Sequence, residues 1–151
     1  MRHLTPLRAL ALLMSTTLAL AGCGGSGGGL DVSVTDARSP VVAGTSTAAV
    51  YLDITNDGDD DVVLTGVSSD AATEVVLHHT AIGEDGAVTM SMADELVIPA
   101  GGTATLTEGG DHIMLIDPEP RAVGDTLELT LHFGDEAVSV EVPATDLLDA
   151  G

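Results

Sequence analysis

The chain has 151 residues and a formal net charge of −20, with 24 Asp and Glu against 4 Lys and Arg. A surface of that sign repels phosphate backbones and anionic lipid headgroups, which excludes nucleic acid as a partner. The sole cysteine excludes a disulfide scaffold and any CxxC redox pair.

Residues 1–22 read as an export signal, with Arg2 and Arg8 in a positive n-region and a largely apolar stretch from Ala9 to Leu20. That stretch is too short to span a bilayer as a helix. It closes in Leu20-Ala21-Gly22-Cys23, which resembles the lipobox of bacterial lipoproteins. The resemblance implies a diacylglycerol on Cys23, which becomes the mature N-terminus. Gly24-Gly25-Ser26-Gly27-Gly28-Gly29 has almost no side chains to pack and reads as a flexible tether. The folded part is thus expected outside the cytoplasm, lipid-anchored to the cell membrane, on its periplasmic or outer-surface side. From Cys23 on there are about 129 residues, enough for one domain and too few for two. Arg38 and Arg121 are the only basic side chains left to face the 24 carboxylates, a mature charge near −22. Such a charge favours solubility and concentrates metal cations near the surface.

After the tether come short strands with punctuation and no amphipathic helix. Leu30 to Asp36 alternates; Ala48 to Ile54 is strand-like; Asn56-Asp57-Gly58 turns the chain before Asp59-Asp60-Asp61. Val62 to Val67, Thr73 to Thr80, Ala87 to Met92 with Leu96 to Ile98, Thr103 to Thr107 and His112 to Ile116 follow. Gly83 to Gly86 and Pro99 to Gly102 break the run. Thr126 to Phe133 puts Leu127, Leu129 and Leu131 on one face, and Ala137 to Val142 repeats this with Val138, Val140 and Val142. Gly134-Asp135-Glu136 joins these two as a hairpin loop. About nine short strands with turns at this interval predict an all-β sandwich or barrel over residues 30–143, with 144–151 a frayed tail. Its core must be aliphatic, because only Tyr51 and Phe133 are aromatic.

The chemistry collects in one third of the chain. All three Met after the signal, Met90, Met92 and Met114, and three of the four His, His78, His79 and His112, lie between residues 78 and 114; His132 stands apart. Core-filling Met would have no reason to be so confined. Residues two apart in a strand share a face, so His112 and Met114 project together beside the Glu108 to Asp111 turn, and Met90 and Met92 do likewise. Imidazole suits copper and thioether sulfur selects Cu(I), so His79, Met90, His112 and Met114 point to one copper site. With no free thiolate, an electron carrier of the blue-copper type is excluded. No general base, nucleophile pair or phosphate loop is identifiable, and a binding protein is expected rather than an enzyme. Asp57 to Asp61 offers oxygen ligands for Ca2+ but lacks the glycine and distal Glu of an EF-hand, and reads as a solvated turn.

The spacing His79-x10-Met90-x21-His112-x-Met114 is similar to the signature of the bacterial extracytoplasmic copper chaperones called PCu(A)C. Ala48 to Asn56, Leu77 to Thr80, Ile98 to Gly102, Gly109 to Leu115 and Gly124 to Leu127 resemble that family too, so the likeness covers about residues 30–143. It implies a cupredoxin-like Greek-key sandwich that holds Cu(I) at an exposed rim. It further implies hand-off of the copper to an apo-cuproprotein acceptor such as cytochrome c oxidase. Within the likeness, spacing selects His79 and the preceding Val75-Val76-Leu77 selects His78, and only one of two adjacent strand residues faces the site. Met90 is favoured by spacing, with Met92 a supporting sulfur on the same face; Asp111 stands where the family often has an aromatic residue. The chain is expected to act as a monomer. Two other functions share these features: a cell-envelope sandwich serving as an interaction module, and a copper storage or resistance lipoprotein.

Overall fold

The computed structural model describes residues 29–147. The export signal, Cys23 and the tether up to Gly28 lie outside the described residues, as do the last four positions.

Among the described residues all regular structure of any length is β. The strands are β1 (Val32–Pro40), β2 (Thr47–Asn56), β3 (Val62–Leu64), β4 (Gly66–Ser68), β5 (Ala72–Ile82), β6 (Val88–Met92), β7 (Leu96–Ile98), β8 (Thr103–Leu106), β9 (His112–Pro118), β10 (Thr126–Phe133) and β11 (Glu136–Thr145). Nine of the eleven join in the order β4-β10-β11-β1-β2-β9-β5-β6 with β8 alongside β2, and β3 pairs with β7 separately. The path closes over itself because two strands change partners along their length. β2 gives Thr47–Val50 to β9 and Leu52–Thr55 to β8. β1 runs antiparallel to β2, then shifts register between Thr35 and Arg38, where Asp36 has φ 54°, and pairs parallel with β11 at Ser39 and Pro40. This bulge redirects the strand and makes the sandwich corner.

Alternation fills the interior as expected. Val50, Leu52 and Ile54 of β2, Ile113 and Leu115 of β9, and Leu127, Leu129, Leu131 and Phe133 of β10 are buried together with Leu64, Leu77, Ile98, Leu106 and Val142. The all-β expectation and the cupredoxin-like sandwich hold. The strand count rises from about nine to eleven partly because Val62 to Val67 is divided. Thr65 turns to bond His132 O through both its N–H (2.8 Å) and its Oγ1 (3.2 Å), which hands β3 to β7 and β4 to β10.

The chain also stays ordered past Pro143. Ala144 is buried and its N–H donates to Asp125 O at 2.7 Å, so strand β11 continues to Thr145 and the tail is shorter than proposed. Pro143 removes only its own N–H from the ladder, at an exposed position.

The β10–β11 loop has two residues, since Phe133 pairs with Glu136, and Gly134 at φ 63° takes the left-handed first position of a II′-type turn. Gly134→Ala, which strains that conformation without touching a neighbour, is expected to cost about 1 kcal/mol in urea unfolding.

Candidate metal centre

Three strands build the site. β5 and β6 form a hairpin through Gly83–Ala87, closed by Gly83 N–H donating to Ala87 O at 2.8 Å, with Gly86 at φ 79°. β9 lies on the other side of β5. The registers place His78 directly opposite His112 on one side and Met92 on the other; Thr80 stands opposite Met90, and Val76 opposite Met114. Paired residues, and residues two apart, share a face. His78, Met90, Met92, His112 and Met114 therefore occupy one face of this sheet.

His79 does not join them. It pairs with Ser91 and belongs to the parity of Leu77 and Ile113, on the opposite face. There, at the rim, its ring is 55% exposed and its Nδ1 lies 2.8 Å from Asp111 Oδ1. His79, read from spacing as a ligand beside His112 and Met114, thus lies off the face that carries those two, and its alternative His78 lies on it. The cause is plain: residue spacing from His to Met runs through the β5–β6 hairpin loop, whose length is free to vary, whereas the face is set by ladder register.

The two imidazoles of this face are held differently. Their ring centroids are 5.3 Å apart at an interplanar angle of 88°. His112 is 8% exposed, and its Nδ1 lies 2.9 Å from the Gly110 carbonyl. A carbonyl only accepts, so Nδ1 carries the proton and Nε2 is left with its lone pair free to bind a metal. His78 Nδ1 is buried and has no hydrogen-bond partner. Burial first, and the neighbouring His112 second, lower its pKa, so the neutral imidazole is favoured. A neutral ring with an unsatisfied buried nitrogen fits a metal ligand. The thioethers stand further out, Met90 being 59% and Met92 67% exposed, while Met114 is half-buried.

Among the described residues no three His, Cys, Asp or Glu side chains come together to hold an ion; besides its two imidazoles this face carries the thioethers of Met90, Met92 and Met114. Two carboxylates of the Asp57 to Asp61 stretch are engaged by distant parts of the chain: Asp57 Oδ2 accepts from Ser33 Oγ at 2.8 Å and Asp61 Oδ1 from Ala100 N–H at 3.0 Å. His132 lies on β10, its Nε2 2.8 Å from Ser68 Oγ, away from β5, β6 and β9. A surface depression of about 510 Å3, lined by Ser68, Asp70, Glu119 and Glu128 among others, contains no His or Met. Met90 and Met92 stand at the exposed rim of this face.

Sequence reasoning missed Thr80, whose hydroxyl donates to Gly110 O at 2.8 Å and whose N–H donates to Asp111 Oδ1 at 3.1 Å. Its signal was available, since Thr80 lies two residues beyond His78 on the same strand face.

A family model described as "Putative lipoprotein LpqE-like" matches residues 32–144. The chain is 38% identical over 111 residues to "Putative lipoprotein Lxx21020" of Leifsonia xyli subsp. xyli (strain CTCB07), a match covering 72% of this chain and 66% of that protein. Among solved structures, it resembles the copper-bound PCuAC domain from PmoF2, with a TM-score of 0.65 and 23% identity over 77% of this chain and 93% of that one. It also resembles CuI-DR1885 from Deinococcus radiodurans, with a TM-score of 0.61 and 33% identity over 74% of this chain and 76% of that one.

Proposed function

The chain belongs to the LpqE-like family and has the fold of PCuAC domains, and from this premise we propose that it is a membrane-tethered, extracytoplasmic Cu(I) metallochaperone. It receives Cu(I) on the β5–β6–β9 face and passes it to apo-cuproproteins, the copper centres of cytochrome c oxidase foremost. Cys23 carries the lipid anchor. The protein binds and transfers an ion and catalyses no covalent step.

The observation that carries this reading is the ladder register, which sets His78, His112, Met114 and the Met90/Met92 pair on one face. Two imidazoles and thioethers offer Cu(I) soft donors with no anionic ligand, which suits exchange better than trapping. The exposure of Met90 and Met92 favours hand-off over storage, because an incoming acceptor ligand can approach those sulfurs without prior opening of the fold. The similarity to CuI-DR1885, named for its bound Cu(I), supports the same metal state.

The test is anaerobic addition of Cu(I) to the full chain, with the stoichiometry and ligand atoms read by X-ray absorption. One equivalent bound through nitrogen and sulfur is expected; no binding, or a shell of oxygen alone, would refute the proposal.

A pH series supplies a second check. His78 has a folded pKa below its ordinary 6.5, so its neutral form, and the stability that form contributes, are fully present above 6.5 and lost as pH falls through the lowered value. Cu(I) competes with that same proton. The His78 contribution to affinity is expected to stay level down to pH 6.5 and then to fall by about tenfold per unit below the lowered pKa. Competition with a chromophoric Cu(I) chelator across this range reads it. A rise in affinity on acidification would contradict His78 ligation.

A further inference from the structure

The β5–β9 ladder ends at the pair His78↔His112, yet β5 continues for four more residues with only β6 beside it. On the β9 side the chain there has become a turn. Thr107 N–H donates to Asp111 O (2.8 Å) and Gly110 N–H to Thr107 O (3.1 Å), with Gly109 at φ 75°. This turn closes on itself, so its groups free to bond outward are few. Two of them meet Thr80. The Gly110 carbonyl accepts from Thr80 Oγ1 at 2.8 Å while also accepting from His112 Nδ1 at 2.9 Å. Asp111 Oδ1 accepts from Thr80 N–H at 3.1 Å while also meeting His79 Nδ1 at 2.8 Å.

We infer that Thr80 and Asp111 form a side-chain clamp that replaces the missing ladder rung and fixes the Gly110 carbonyl in place, making them positioning residues for His112. The inference rests on the copper reading for its purpose, though not for its geometry. One carbonyl oxygen has two lone pairs, and here both are used: one by the hydroxyl that ties the turn to β5, one by the imidazole. With Thr80 holding the turn, the carbonyl is aimed at His112 Nδ1, the proton stays on that nitrogen, and Nε2 remains the donor atom. Without the hydroxyl, the turn is tied to β5 through the Asp111 carboxylate alone. The carbonyl then loses its fixed aim and the imidazole its tautomer preference. Outer partners of this kind are worth about 10–100-fold in metal affinity. Asp111 therefore acts on the site from the opposite face, through the backbone, without touching the ion.

The experiment uses the 15N-labelled full chain in detergent, without metal, at a fixed pH of about 8 where free imidazole is neutral. Ring nitrogen shifts of His112 are expected to show the Nδ1–H form alone. Thr80→Val should give a mixture of both tautomers and, in a parallel anaerobic titration, Cu(I) affinity lower by about tenfold. Thr80→Ser should restore both, and Asp111→Ala should move both in the direction of Thr80→Val. If the backbone spectrum shows that Thr80→Val does not fold, Thr80→Ala is read in the same way. A Thr80 variant that keeps the wild-type tautomer overturns the clamp, whatever copper does. A wild-type chain that binds no Cu(I), but whose His112 tautomer shifts in the Thr80 variant, sinks the metallochaperone reading and leaves the clamp standing.

Discussion

His78→Ala is expected to lower Cu(I) affinity by at least about 100-fold, and His79→Ala to leave it within about threefold, although the two residues are adjacent. Loss of a direct ligand should exceed the 10–100-fold typical of its outer partners. His78 faces His112 and Met92 directly across both its ladders, and its buried Nδ1 has no hydrogen-bond partner. His79 lies on the other side of the sheet with a half-exposed ring against Asp111. An exposed pair of that kind contributes about 1 kcal/mol at most. Met114→Ala should behave as His78→Ala does, since no second sulfur on β9 replaces it. Met90→Ala and Met92→Ala should each be milder alone than together, because the two share a face of one strand. Competition with a chelator measures the five single variants and the Met90/Met92 double variant; a His79 effect equal to that of His78 would mean that the site lies on the other face.

The largest structural effect is expected at Asn56, the last residue of β2. Asn56→Ala should destabilise the domain by about 3 kcal/mol and lower Tm by about 10 °C. The side chain is fully buried, and both of its N–H donors and its carbonyl oxygen are hydrogen-bonded. Its Nδ2 donates to Asp60 O at 2.8 Å and to Ile98 O at 3.0 Å, and its Oδ1 accepts from Gly58 N–H at 3.0 Å. Three elements thus meet on one amide: the end of β2, the Asn56–Asp61 turn and the end of β7. Alanine leaves the Ile98 carbonyl short of a bond in a buried position, removes two part-buried bonds that tie down the turn, and adds a small void. Asn56→Asp keeps the shape and Oδ1 but loses both donors, so it should be nearly as damaging. Thermal unfolding followed by far-UV circular dichroism checks both; a Tm change under about 3 °C would show that the turn re-forms without the amide.

Much of the fold was legible because its strands obey simple rules. Leu127, Leu129 and Leu131 alternate with polar neighbours and are buried, and the glycine at 134 marks the hairpin that follows. What was hidden depends on pairs distant in sequence. The division of Val62 to Val67 follows from Thr65 bonding a carbonyl of β10, and nothing in those six residues announces it. The site shows the same split. Residue types and their crowding into positions 78–114 identify soft-metal chemistry, and His112 with Met114 is readable from parity within one strand. The choice between His78 and His79 is not local. It depends on which β5 residue stands opposite His112, a register fixed by packing of Leu77 and Ile113 into the core rather than by spacing across a loop. Thr80 escaped notice because a threonine in a strand is ordinary until its hydroxyl finds Gly110.

Strand β6 closes one end of the sheet, and its five residues, Val88 to Met92, are exposed and uncharged. An edge without lysine, proline or bulge is a template on which a second copy can anneal, backbone to backbone. Here the guard is remote: every copy carries a charge near −20, and the carboxylates Glu84, Asp85, Asp94 and Glu95 flank the strand. Such a guard acts through the solvent, so its range is the Debye length, about 10 Å at 0.1 M salt and about 3 Å at 1 M. The exposed edge that carries Met90 and Met92 is kept from self-adhesion by long-range repulsion, and dissolved salt sets how far that repulsion reaches.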